Sequence, residues 1–261
     1  MKKLFFLFSL IFIISCSNVA VTGRNQLMLV EESQLIVSSE EQYKSFLKEY
    51  PPLDNRNSKL VKEVGKNISI AVEQYFKDEN QEGILQGYNW EFNLVDGKDI
   101  NAWCMPGGKV AFYTGILPIT KDELGIAVVM GHEIAHAVAR HGSERLSHQM
   151  IVETGANLLN YSLSNMGGSI SSDIALQAYG VGTNLGILSY SRKHELEADR
   201  LGIIFMAMAG YDPREAIEFW KRMAMSSEGG ENEFFSTHPS NNHRIEDIEK
   251  YLPEAMKYYN K

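Results

Sequence analysis

His132, Glu133 and His136 stand in the run His-Glu-Ile-Ala-His, and the spacing of the two histidines is what gives this chain a chemistry. On an α-helix, positions i and i+4 lie about 40° apart around the axis, so both imidazoles leave one face and can grip one metal ion. Glu133 is not needed as a ligand. It is placed to take a proton from a water activated at the metal, the general-base step of metal-assisted hydrolysis. The flanks, Glu123 to Gly131 and Ala137 to His141, are apolar nearly all round, the pattern of a buried helix. Two imidazoles and a carboxylate in such a helix are costly unless something satisfies them, and a metal does so.

A catalytic zinc takes three protein ligands and keeps one position open for water. Residues 192–209 supply a second helix, in which Glu195 and Asp199 fall at i and i+4 and share a face. Leu201, Ile204, Phe205 and Met208 turn that helix toward the core. Glu195 can ligate, and Asp199 can hydrogen-bond a ligating histidine from behind. Glu197 lies about 200° round from Glu195 and points elsewhere. Taken alone, these acids read equally well as a solvated charged turn at a helix start.

Four segments together resemble the M48 zinc metallopeptidases: Val21-Thr22-Gly23-Arg24-Asn25-Gln26-Leu27, Asn101-Ala102-Trp103-Cys104-Met105-Pro106-Gly107-Gly108, the His132–His136 run, and Tyr190 through Asp199. The resemblance spans most of the chain and implies one Zn2+ per chain, held by His132, His136 and Glu195, with Asp199 as partner of a ligand. It also implies roles for His238 and Arg244, since His238-Pro239 followed by Arg244 looks like a further signature of that family. His238 would stabilise the oxyanion of the tetrahedral intermediate or close the site by binding zinc; an ordinary turn residue is the plain alternative. Arg244 would orient the site or pair surface acids. His141, His148, His194 and His243 read as surface residues or supports of the ligands. The activity implied is zinc endopeptidase, acting on unfolded or misfolded envelope proteins in quality control. The rival reading is a zinc-containing chaperone or assembly factor with dormant proteolysis.

Met1-Lys2-Lys3 and the apolar run Leu4 to Ile14 read as a signal peptide over residues 1–15, too short to span a bilayer comfortably. Ile13-Ile14-Ser15-Cys16 resembles a bacterial lipobox, so Cys16 is expected to be acylated, with residues 16–30 as a lipidated tether and 31–261 as the peptidase domain. The expected address is the bacterial cell envelope, on the periplasmic face of the outer membrane, with the lipid as the membrane contact. Cys104 is the other of two cysteines, so acylation leaves no intrachain disulfide. Loss of Lys2 and Lys3 takes the formal charge from −8 to −10, which argues against nucleic acid as a partner. Oligomeric state is not legible.

The elements that must position these residues follow from periodicity. Residues 31–50 and 55–78 read as amphipathic helices broken at Pro51-Pro52, with Leu60, Val64, Ile68 and Val72 on one stripe. Trp90–Val95 and Val110–Tyr113 read as strands of a small antiparallel sheet beside the histidine helix, with an exposed edge that suits an extended peptide. From Lys121 onward the pattern is helical, broken at Met166–Ser169 and at Ser226–Glu233, two loops that would gate the site. Asp212-Pro213 opens one helix and Ser240 or Asn241 the last. Met206, Met208, Met223 and Met225 read as core filler. The fold class is α+β, mainly helical and zincin-like.

Overall fold

A computed structural model describes residues 16–160, 191–226, 233–238 and 243–259. The signal segment 1–15, the loop at 166–169, most of the loop at 226–233 and the start expected at Ser240 or Asn241 lie outside the described residues. Residues 16–30, read as a tether, form a hairpin: β1 (Cys16–Asn18) pairs antiparallel with β2 (Asn25–Leu27), Cys16 opposite Leu27. Val19 and Val30 are buried on either side of it.

Two helices follow, α1 (Glu32–Glu49) and α2 (Arg56–Asp78), separated at the two prolines as expected. Asn55 starts α2 with a capping box: its side chain accepts from the Ser58 amide, and the Ser58 hydroxyl accepts from the Asn55 amide, both at 2.9 Å. Val61, Val64, Ile68, Val72 and Phe76 then form a fully buried stripe at helical spacing.

The sheet has β5 (Lys109–Tyr113) at its centre, β3 (Glu91–Val95) parallel on one side and β4 (Ala102–Met105) antiparallel on the other. It is therefore mixed, which corrects the expected antiparallel sheet. Ala-Trp-Cys-Met has no β-branched residue, so β4 does not announce itself as a strand. The chain turns back along β4 and returns as β5 between the other two, so β3 and β5 run the same way. Side chains alternate between two apolar clusters. Phe92, Leu94, Cys104, Val110 and Phe112 join the main core, while Val95, Trp103, Met105 and Ala111 meet Leu35, Tyr43 and Phe46 of α1.

After a short helix α3 (Leu117–Thr120), Asp122 caps α4 (Glu123–Val138) by accepting from the amides of Leu124 and Gly125 at 3.1 and 3.2 Å. From Gly125 to Val138 every residue of α4 is buried. Arg140, at φ 57, ends that helix in the left-handed region, and α5 (His141–Asn160) leaves in a new direction. Ser191 caps α6 (Arg192–Met208) by accepting from the His194 amide at 3.2 Å. α7 (Glu215–Ser226), the one-turn α8 (Glu233–Thr237) and α9 (Arg244–Tyr259) complete the described chain. Asp212 accepts from the Arg214 amide at 3.0 Å in the turn that precedes α7. Met206 and Met223 are fully buried, but Met225 is 68 % exposed, so its place as core filler is corrected: it lies past the buried face of α7, at that helix's last turn. The architecture is α+β and mainly helical, with the sheet on one side of α4 and α6 packed against it. Among the described residues no helix is long and apolar enough to cross a membrane.

Candidate metal centre

α4 carries His132 and His136, α6 carries Glu195, and His238 follows directly on α8. Their ligand atoms all lie within 4.8 Å of one another and all four side chains are buried. Nε2 of His132 stands 3.1 Å from Nε2 of His136 and 3.5 Å from Oε2 of Glu195, and His136 Nε2 is 3.4 Å from Glu195 Oε1. His238 Nδ1 adds a fourth vertex, 3.3 Å from His132 Nε2 and 3.1 Å from Glu195 Oε1. Tetrahedral zinc with bonds of about 2.0–2.1 Å needs donors about 3.3–3.4 Å apart, so this donor set fits the ion.

The backing of His132 fits as well. Its Nδ1 lies 2.9 Å from Oδ1 of Asp199, a carboxylate that can only accept, so the ring donates there and Nε2 is left bare toward the cluster. Arg244 braces the same carboxylate: Nη2 donates to Asp199 Oδ1 at 2.7 Å and lies 3.3 Å from Glu195 Oε2, with the guanidinium stacked 3.3 Å over the Trp220 ring. The cation is buried, which removes the surface-pairing alternative for it.

The field of the site favours positive charge. Burial works against a proton on His132, yet the Asp199 and Glu195 carboxylates outweigh it and hold the pKa up at about 9. Burial would raise Glu195, but His238, His132 and His136 keep it well below the usual carboxylate range. His136 goes the other way, pushed well below its ordinary value by burial. Carboxylates that hold a proton on a buried histidine give the cluster the electrostatics of a cation site, in which a bound metal would take the place of that proton.

Glu133 sits on α4 next to His132, buried, with Oε1 accepting no hydrogen bond and 3.6 Å from His238 Nε2. Burial raises its pKa, although His238 and His132 pull against that. A raised pKa makes the carboxylate a better proton acceptor. His238 thus faces both ways, Nδ1 among the ligand atoms and Nε2 toward Glu133, with its ring stacked on Phe234 at 4.3 Å. Of the two roles left open by the sequence, the geometry supports the closing of the site.

Two residues of this region meet partners that the sequence reading did not name. Glu197, read as pointing away, is buried and meets His141, Thr22 and Arg24. It does face away from the metal cluster, but into protein. His141, read as a surface residue or a support of the ligands, is fully buried against His136, in the supporting place. No local spacing in the sequence pairs either residue with its partner, because α5, α6 and the hairpin meet only in the folded chain. His194 is buried beside Glu144, while His148 and His243 are exposed. Cys104 is a buried free thiol, its pKa driven well up by burial. Cys16, expected to be acylated, is the first residue of β1.

Comparison with known proteins agrees with this geometry. The model of peptidase family M48 matches residues 70–252. The mitochondrial metalloendopeptidase OMA1 of Schizosaccharomyces pombe is 39% identical over 175 residues, 66% of this chain and 49% of that protein. Its counterpart in Bos taurus is 33% identical over 253 residues, 91% of this chain and 46% of that protein. The beta-barrel assembly-enhancing protease of Yersinia pestis is 30% identical over 162 residues, 60% of this chain and 33% of that protein. The chain spans about half the length of the OMA1 relatives it matches. These relatives also correct the expected address in the bacterial cell envelope: the fungal, animal and plant relatives are mitochondrial.

Proposed function

The chain belongs to peptidase family M48, whose metal is zinc, and from that premise we propose that it is a zinc-dependent endopeptidase whose substrates are unfolded or misfolded proteins. The observation that carries the reading is the pairing of donors at tetrahedral spacing with a buried carboxylate, Glu133, that ligates nothing. A structural metal site has no use for such a base.

His132, His136 and Glu195 would hold the zinc. When bound, it supplies Lewis acidity, polarising the scissile carbonyl and making a water acidic near neutral pH. Glu133 takes the proton of the attacking water and passes it to the leaving amine, and its buried setting keeps that proton from escaping to solvent. Asp199 and Arg244 keep His132 oriented. β4, the sheet edge beside α4, is buried along its whole length, which corrects the expected exposed edge; an extended peptide would add there by backbone hydrogen bonds only once that edge is uncovered. Association with a membrane through the apolar N-terminal run, and a task in quality control, complete the proposal; the run's composition supports the first, and the second follows from the unfolded substrates proposed.

A second reading has its own observation. With His238 Nδ1 at the fourth vertex, no position is left for water, which favours a resting state or a chaperone-like protein with dormant proteolysis. Cleavage of an unfolded model protein by the zinc-loaded chain, beside Glu133→Gln at equal metal content, tests both. Cleavage lost only in the variant supports the peptidase; no cleavage by either, with zinc bound, supports the dormant form.

A further inference from the structure

On the side of His136 away from the ligand cluster, Nδ1 lies 2.9 Å from Nδ1 of His141. Two such nitrogens at hydrogen-bond distance share one proton, and which ring owns it decides what His136 can do. The decision is made one residue farther out. Nε2 of His141 is 2.9 Å from Oε2 of Glu197, and a carboxylate only accepts, so His141 donates there. A neutral His141 then offers a bare Nδ1, the shared proton belongs to His136, and Nε2 of His136 is left bare toward His132 and Glu195.

Glu197 is itself held by the turn of the N-terminal hairpin. Arg24 Nε donates to its Oε2 at 2.7 Å, and the Thr22 hydroxyl donates to Oε1. The other face of the same guanidinium forks onto Glu144, Nη1 to Oε1 at 2.8 Å and Nη2 to Oε2 at 2.7 Å, and Glu144 also takes His194 Nε2 at 3.1 Å. Glu197, Glu144, His141 and His194 are all buried, so water has little access to these bonds. One arginine joins α5, α6 and the hairpin.

We propose that Glu197 and His141 are positioning residues for His136, and that Thr22 and Arg24 hold Glu197 in that role, so that a hairpin over a hundred residues away in sequence sets which nitrogen of His136 faces the metal. The inference rests on the metal-centre reading above. Without Glu197, His141 is free to carry its proton on Nδ1 and donate to His136, whose own proton then sits on Nε2 and blocks the ion. Outer partners of ligating histidines typically change metal affinity about 10–100-fold when removed.

The test uses the full chain with 15N-labelled histidine. In the metal-free wild type, His136 is expected to carry its proton on Nδ1. In Glu197→Leu the proton moves to Nε2 in whole or part, and zinc affinity, read by chelator competition, falls about 10–100-fold. Glu197→Gln, whose amide oxygen still accepts from His141, recovers most of both. Arg24→Met carries the same test without an apolar side chain beside His141, with a smaller shift in the same direction. A wild-type His136 protonated on Nε2 overturns the inference. So do variants with unchanged thermal transitions that keep the wild-type tautomer and affinity. A wild type that binds no zinc overturns the metal reading instead, and the tautomer still decides the part played by Glu197.

Discussion

Gly131 and Gly202 touch across the crossing of α4 and α6: a Cβ on Gly131 would stand 2.6 Å from the Gly202 carbonyl oxygen, and one on Gly202 would stand 2.8 Å from the His132 amide nitrogen. No side chain fits there, so the helix bearing the two histidines and the helix bearing Glu195 and Asp199 lie backbone to backbone. The ligand spacing is set at this contact, one residue before His132 and three after Asp199.

Gly131→Ala and Gly202→Ala are therefore expected to push the helices apart. Overpacking of this kind costs about 1–3 kcal/mol of stability. Zinc affinity is expected to fall further than stability alone explains, because the two halves of the ligand set separate. Urea unfolding of the metal-free chain and chelator competition of the loaded one measure the two effects. An alanine at either position that leaves both unchanged would show that the crossing is looser than the contact implies.

The pairing of His132 with His136 and of Glu195 with Asp199 on single helix faces was legible because each rests on a local period, i and i+4 among apolar residues at helical spacing, whereas the spacing alone left the two acids open between a metal site and a charged turn. Arg244 was visible only by resemblance, since nothing in its neighbours tells that it lies under Trp220 and against Asp199. The Glu197–His141 contact joins α6 to α5 across the fold, and the pairing of β3 with β5 skips a strand. Both are non-local, and periodicity carries no information about which surfaces meet. The direction in which a side chain points is set by its helix; what it meets there is set by topology.

Asp199→Ala should expose how much the site depends on backing. It removes the acceptor that keeps the His132 proton on Nδ1 and leaves the buried Arg244 guanidinium without its 2.7 Å partner. Zinc affinity is expected to drop about 10–100-fold. Asp199→Glu, which keeps the charge, is expected to recover part of it. Metal titration of the three proteins decides, and equal affinities would mean that Asp199 only packs.

Glu144 gives a pH dependence with a definite sign. Burial would raise its pKa, but His194 and Arg24 outweigh that and hold it at about 2, against an ordinary value of 4.5. A carboxylate lowered on folding contributes stability that is complete above its unfolded pKa and lost as pH falls through the folded one. The wild type is thus expected to exceed Glu144→Gln in urea midpoint at pH 7, with the gap closing between about pH 4.5 and 2. A gap independent of pH would assign the difference to packing rather than charge.

His238→Ala separates the two positions that His238 occupies at once. Its Nδ1 completes a tetrahedron with His132 and Glu195, while its Nε2 approaches Glu133 to 3.6 Å. If the first contact dominates, removing the imidazole opens the vertex that water needs: cleavage of an unfolded protein rises, one zinc stays bound on the three remaining ligands, and Glu133→Gln in the same background abolishes the gain. If the second dominates, through a hydrogen bond to the developing oxyanion, cleavage falls by about 10²–10³-fold with zinc occupancy unchanged. The geometry favours the first outcome. Both Nδ1 distances lie within about 0.3 Å of the spacing that tetrahedral zinc requires, whereas the Nε2 approach to Glu133 is longer than a hydrogen bond.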